Sequence, residues 1–169
     1  HLSQKLNFSI ADGFAITTNL YDKFIEQNNL NDFIKLKLEN IDYSELISIE
    51  NTSECIIDRI IKSSFTDEQI KEIEKNYKII SSLYSKENLE VAIRSSAIAE
   101  DLPNASFAGQ QDSFLNVFGI DSLIENIKKC YGSLFNTRAI SYRNTQKIPF
   151  NEVKISVAVQ KMVRSDLGS

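Results

Sequence analysis

The sequence predicts an α+β domain in which helices cover a sheet. Three observations carry that prediction. Short strand signals recur at Phe14–Thr18, Val91–Ile93, Phe114–Val117 and Val153–Val159. Between the first two, from Asn31 to Lys86, apolar residues return at helical spacing. A chain of 169 residues, 42% hydrophobic and 25% charged, can bury a single core and has the balance of an ordinary globular domain.

The elements follow in order. His1 to Ser9 carry no clean cap, and Asp12-Gly13 marks a turn before the first strand. Asn19 to Asn28 reads as a helix with Leu20, Tyr21 and Phe24 on one face. Phe33, Ile34, Leu36, Leu38 and Ile41 mark a second helix, less regularly spaced. Ile56, Ile57, Ile60 and Ile61 mark a third that ends near Ser63-Ser64. Thr66 opens a fourth, because a hydroxyl there caps the first turn and Gln69, three residues on, completes a capping box. Its stripe is Ile70, Ile73, Tyr77, Ile80, Leu83 and Tyr84, and its Lys and Glu residues form a solvated face. This block carries no catalytic pattern; its expected role is to cover the sheet.

The chemistry lies between Val91 and Val117. The apolar run Val91-Ala92-Ile93 delivers Arg94 into Ser95-Ser96, and a polar loop follows with Glu100-Asp101, Pro103-Asn104 and Gly109. Arg94 is a permanent cation with a fork of N–H donors suited to phosphate or carboxylate. Gly109 permits a backbone shape that brings N–H groups close to an anion, and Gln110, Gln111 and Ser113 add side-chain donors. The residues alone leave two readings open, a phosphate loop or an arginine paired with Glu100 or Asp101 beside an ordinary turn.

Asp121 is the expected N-cap of the longest helix, whose stripe runs through Leu123, Ile124, Ile127, Tyr131, Leu134, Phe135 and Tyr142. Gly132 lies inside it, which points to close packing, since glycine there costs about 1 kcal/mol against alanine. Arg138 and Arg143 face either a ligand or neighbouring acids, and the C-terminal half of a helix favours the structural role. Pro149 ends this region, and Val153, Ile155, Val157 and Val159 alternate with polar or small residues as a half-buried strand.

Composition removes several function classes. A net charge of −4 argues against general attraction to nucleic acid or anionic membrane. No apolar run approaches the roughly 20 residues that span a bilayer, and no signal peptide is visible. Cys55 and Cys130 have no metal-ligand spacing and read as reduced, buried thiols of a cytoplasmic protein. The sole histidine, His1, is terminal, so chemistry that needs an internal histidine is excluded. The only methionine is Met162, and the chain is expected to be a fragment of something longer.

The residue order adds a resemblance. IRSSAIAEDLPNASFAGQQDSFLNV closely resembles the signature of the phosphoenolpyruvate synthase family, in the nucleotide-binding region shared with pyruvate phosphate dikinase and the rifampin phosphotransferases. DGFAITTNLYDKF, SLFNTRAISYR and VAVQKMVRSD resemble further segments of that region. The resemblance implies that residues 1–169 form a single domain, the first lobe of an ATP-grasp domain, with a mostly antiparallel sheet covered by helices. By position, Arg94 would contact phosphate, Gly109 would bring backbone N–H groups to the phosphate tail, and Gln111 and Ser113 would add donors. Gln160 would lie by the adenine, with Met162 and Val163 in apolar contact; from residues alone, Gln160 also fits an ordinary strand's solvent face. No catalytic residue and no metal ligand is assigned within the chain.

In this family ATP phosphorylates a histidine on a mobile domain, which passes the phosphate to pyruvate to give phosphoenolpyruvate, AMP and phosphate. The expected cofactors are therefore ATP and Mg2+, with the metal ligands outside this chain and Glu100 and Asp101 fixing the loop. The expected partners are ATP and the enzyme's remaining parts: the second ATP-grasp lobe, a phosphohistidine domain and a pyruvate-binding domain. The family's glycine-rich turn with its lysine is missing, and Lys5 stands in the wrong context to replace it. The chain alone is expected not to perform the whole reaction. Two alternatives are a rifampin phosphotransferase-type antibiotic kinase and a stand-alone, non-catalytic nucleotide-binding module.

Overall fold

A computed structural model describes residues 12–97 and 113–163. Four strands form one antiparallel sheet: β1 (Gly13–Ile16), β2 (Val91–Ala97), β3 (Ser113–Val117) and β4 (Ile155–Lys161), in the order β1-β4-β2-β3. The last strand in sequence sits inside the sheet because its pattern suits a central place. Ile155, Val157 and Val159 are buried while Ser156, Ala158 and Gln160 are half-buried on the opposite face. It pairs with β1 on one side (Phe14 opposite Val159) and with β2 on the other (Ile93 opposite Val159).

Among the described residues, helices cover only the Ile155–Val157–Val159 face. They are α1 (Thr18–Gln27), α2 (Leu30–Glu39), α3 (Leu46–Lys62), α4 (Asp67–Leu83), α5 (Ile120–Ser133) and α6 (Thr137–Gln146), with a short 3-10 turn at Phe150–Glu152. α5 lies against β2, β3 and β4, α1 against β4, and α4 against β1. α3 packs on the back of α5 and touches α2 and α6, making an outer layer. At the centre Phe24, Phe65 and Tyr131 cluster, with Phe24 and Phe65 rings 4.6 Å apart and Tyr21 edge-on to Tyr131 at 5.0 Å. Such pairs add about 0.5–1.5 kcal/mol beyond area burial, so this cluster locks α1 to α5.

Several expectations hold. The Thr66 capping box is present, with Gln69 N–H donating to Thr66 Oγ1 at 3.3 Å and Thr66 N–H donating to Gln69 Oε1 at 2.9 Å. Gly132 is closely packed: a Cβ there would stand 3.3 Å from Ile57 Cγ2. Both cysteines are free thiols.

Others need correction. β2 runs on through Arg94, Ser95 and Ser96 to Ala97, past the expected Val91–Ile93, because β4 offers main-chain partners as far as Ala97. The stripe from Leu123 to Tyr142 is two helices; the chain turns at Leu134–Asn136, and Asn136 caps α6 by accepting from Ala139 N–H at 2.8 Å. The longest helices are therefore α3 and α4, with 17 residues each. Gly119, with φ +82°, takes the N-cap position of α5 and leaves Asp121 in the first turn. Leu36 and Leu83 are exposed, not on the buried stripes of their helices, and Cys55 is half-buried.

Candidate functional site

Among the described residues no helix lies on the second face of the sheet, and the strand register decides which residues stand on it. On β2, Val91 and Ile93 point toward the helices and Ala92, Arg94 and Ser96 away from them; Arg94 and Ser96 are exposed, while Ala92 is buried. Arg94 lies opposite Ala158 of β4 and opposite Ser113 of β3. Ala15 of β1 also lies opposite Ala158, so Ala15, Ala158, Arg94 and Ser113 form one row across all four strands. The adjacent row contains Gly13, Gln160 and Ala92. Gln160 is thus the diagonal neighbour of Arg94, with Cα atoms about 7–8 Å apart.

The terrain around these side chains is low. Gly13, Ala15, Ala92 and Ala158 share the face, with Ser96 and Ser156 at its far end. Small side chains let a flat or extended ligand approach the main chain, while Arg94 and Gln160 supply the long polar arms. Gly13 cannot be larger, because a Cβ there would lie 2.2 Å from the Val159 carbonyl oxygen. Arg94 and Ser113 are exposed and Gln160 is half-buried. Arg94 takes part in no ion pair among the described residues. Its alternative partners, Glu100 and Asp101, lie outside the described residues, as do Gly109 and Gln111.

At the end of β4, Met162 and Val163 line a cavity of about 750 Å³ together with Lys86, Leu89, Glu90, Phe118 and Lys161. Met162 N–H donates to the Glu90 carbonyl at 3.0 Å, continuing the ladder one residue past the strand. Val163 and Phe118 are 67% and 62% exposed, so the cavity has an apolar lip open to solvent. On β3, Leu115 and Asn116 together oppose the single residue Ala92, a bulge in which Asn116 takes φ 56°. The bulge lies between Ser113 and Phe118, so one strand supplies both a donor on the open face and part of the lip.

A second cavity, of about 740 Å³, opens on the outer layer between α2, α6 and the 3-10 turn. Arg143 lines it but is buried, donating from Nη1 to the Leu134 carbonyl and lying 5.3 Å from the Phe135 ring centroid. Burial pushes its pKa down to about 10. Arg143 thus ties α6 to the turn before it, in line with the structural role favoured from sequence. Arg138 is exposed on the same helix, which packs on α3 rather than on the sheet.

Of the seven site residues expected from sequence, the structure describes Arg94, Ser113, Gln160, Met162 and Val163. It brings the first three onto one face and the last two to that face's end. Sequence reasoning missed the small residues, although the alternation of β2 and β4 marks Ala92 and Ala158 as partners of Arg94 and Gln160. It also missed Lys86, Glu90 and Phe118, which no local pattern marks. No group of three or more acidic, His or Cys side chains fit to hold a metal occurs among the described residues. No helix among them is long and apolar enough to cross a membrane.

A helix-backed antiparallel sheet whose bare face carries an arginine, a hydroxyl and an amide, running into an apolar-lipped cavity, defines a lobe fit to bind an extended anionic ligand with a flat end. Comparison with known proteins gives that class a family. A family profile described as the pyruvate phosphate dikinase AMP/ATP-binding domain matches residues 1–169, and the chain belongs to this family. It is 44% identical over 164 residues to a phosphoenolpyruvate synthase of Helicobacter pylori, covering 97% of this chain and 20% of that protein. The phosphoenolpyruvate synthases of Pseudomonas aeruginosa and Escherichia coli are 41% and 40% identical, covering 95% and 97% of this chain. The chain spans about a fifth (20%) of the length of these curated relatives.

Proposed function

We propose that this chain is an ATP-binding lobe of a phosphoenolpyruvate synthase (pyruvate, water dikinase), working with further domains of the same enzyme. The observation that carries the reading is the placement of Arg94, Ser113 and Gln160 on one bare sheet face that leads to Met162 and Val163. The relatives' names supply the reaction class.

In this reading Arg94 holds the phosphate tail through charge-assisted hydrogen bonds, and Ser113, directly across the β2–β3 ladder, donates its hydroxyl to the same group. Gly109 and Gln111 add backbone and side-chain donors to that tail. Gln160 faces the base end, and Met162 and Val163 give it an apolar wall. Phosphoryl transfer depends mainly on positioning and on charge stabilisation at the transferring oxygens, so fixed donors on a rigid sheet are the fitting contribution from this lobe. The second ATP-grasp lobe, the phosphohistidine domain and the pyruvate-binding domain supply the rest, in the cytoplasm. Mg2+ would bring charge neutralisation to the phosphates, held by ligands in other parts of the enzyme.

Titration calorimetry with ATP and magnesium on this chain and on Arg94→Ala tests the reading. Binding that is clearly weakened in the variant supports it. Equal binding by both proteins removes Arg94 from the phosphate site.

A further inference from the structure

β4 ends where the cavity begins, and its last residue is held in a closed loop of three residues, linked by one main-chain and two side-chain contacts. Lys161 N–H donates to the Asp12 carbonyl at 2.8 Å. The Asp12 carboxylate accepts from the Tyr84 hydroxyl at 2.5 Å. The Tyr84 ring carries the Lys161 ammonium 4.0 Å from its centroid. Asp12 precedes β1, Tyr84 is the C-cap residue of α4, and Lys161 ends β4, so three elements meet at this point.

The loop adds little to the core. Asp12 is exposed, and Tyr84 and Lys161 are only half-buried; exposed polar contacts of this kind contribute weakly to global stability. Its effect is local. The main chain beyond Lys161 supplies Met162 and Val163 to the cavity, and Met162 N–H is tied to Glu90 on the other side. With Asp12 on the β1 side and Glu90 on the β2 side, the strand end has little freedom to twist. A cation over an aromatic face adds direction, since the ammonium stays above the ring.

We propose that Asp12, Tyr84 and Lys161 are positioning residues that fix the end of β4 for the nucleoside end of the bound nucleotide, leaving its phosphates to Arg94 and Ser113. The inference rests on the ATP-binding reading above and adds a division of labour to it. Asp12 and Tyr84 stand outside the cavity lining; they act through Lys161 and the backbone of Met162 and Val163.

The test compares this chain with Tyr84→Phe, which keeps the ring but loses the Asp12 bond, and Tyr84→Leu, which loses both. Calorimetric titrations use ATP, adenosine and inorganic tripolyphosphate. A weakening of about tenfold for ATP and adenosine in Tyr84→Leu, about threefold in Tyr84→Phe, with tripolyphosphate unchanged, is expected from the loss of one or two modest contacts. Arg94→Ala should show the opposite split, weaker tripolyphosphate and unchanged adenosine. Equal losses for all three ligands in Tyr84→Leu would reduce the clamp to a general structural role and overturn the proposal. Failure of the unchanged chain to bind any of them would overturn the ATP-binding reading. Amide exchange without ligand then decides the clamp alone: faster exchange at Lys161 and Met162 in Tyr84→Leu, confined to that strand end, supports it, and unchanged exchange overturns it.

Discussion

Arg94 and Ser113 stand directly opposite each other across the β2–β3 ladder, on the face that no helix covers. Residues so paired have Cβ atoms about 4.5–5.5 Å apart, close enough for both side chains to reach one phosphate group. Arg94→Ala should weaken ATP binding by about 1.5–3 kcal/mol, the range for hydrogen bonds to charged groups, and Ser113→Ala by about 0.5–1.5 kcal/mol. Because they share one acceptor, the double variant should lose less than the sum of the single losses. Calorimetric dissociation constants for the four proteins check this, and strict additivity would place the two side chains on different parts of the ligand. Both residues are exposed, so thermal midpoints should stay unchanged.

Gly13→Ala should damage the sheet itself. The added methyl would fall 2.2 Å from the Val159 carbonyl oxygen, which is main chain and has nowhere to go without moving β4. Overpacking of this kind costs about 1–3 kcal/mol. Since Gly13 lies opposite Gln160, the shift should also reach the base end of the site. A lower urea midpoint together with weaker adenosine binding is the expected result; an unchanged midpoint would mean that β1 can slide away without loss.

The capping box offers a milder, local test. Thr66→Ala should cost about 1 kcal/mol, because Gln69 N–H in the first turn of α4 loses its side-chain acceptor. Gln69→Ala in the same background should add a further loss, since the Gln69 amide still accepts from the residue-66 N–H and pairs with Gln27. Urea unfolding of the single and double variants measures both values.

The parts of the fold readable in the sequence were those set by local rules. Thr66 and Gln69 announced a helix start because capping chemistry is complete within four residues. Ile155, Val157 and Val159 announced a strand because burial alternates with the pleat. Other features depended on partners distant in sequence. The strand signal stops at Ile93, since Arg94, Ser95 and Ser96 carry no apolar pattern; β4, about sixty positions later, provides the ladder that keeps them extended. The break between α5 and α6 hides in an unbroken apolar stripe, and only the Asn136 cap marks it. The site divided in the same way. Arg94, Ser113 and Gln160 were named from donor chemistry and the family resemblance, while their shared face follows from register, which no single segment encodes.

Tyr131 carries the last prediction. Its hydroxyl is buried and has no hydrogen-bond partner among the described residues, and a buried unpaired polar group costs about 1–3 kcal/mol. Tyr131→Phe should therefore be no less stable than the parent at pH 7, although it alters the centre of the core. The same burial raises the pKa of Tyr131 and of Tyr21 above the ordinary value near 10. Stability tied to these raised values is fully present below about pH 10 and is lost as pH climbs, because the unfolded chain releases both protons first. Arg143 works in the opposite direction: its pKa is lowered to about 10, so above that pH the folded state sheds a proton that the unfolded state keeps. Two groups losing and one gaining leave stability sloping downward above pH 10. Removing the Tyr131 phenol should flatten that slope. Urea midpoints of parent and variant between about pH 8 and 11 would show the two curves separating only in the alkaline half. Parallel curves would mean that the Tyr131 hydroxyl finds a partner in solution and titrates normally.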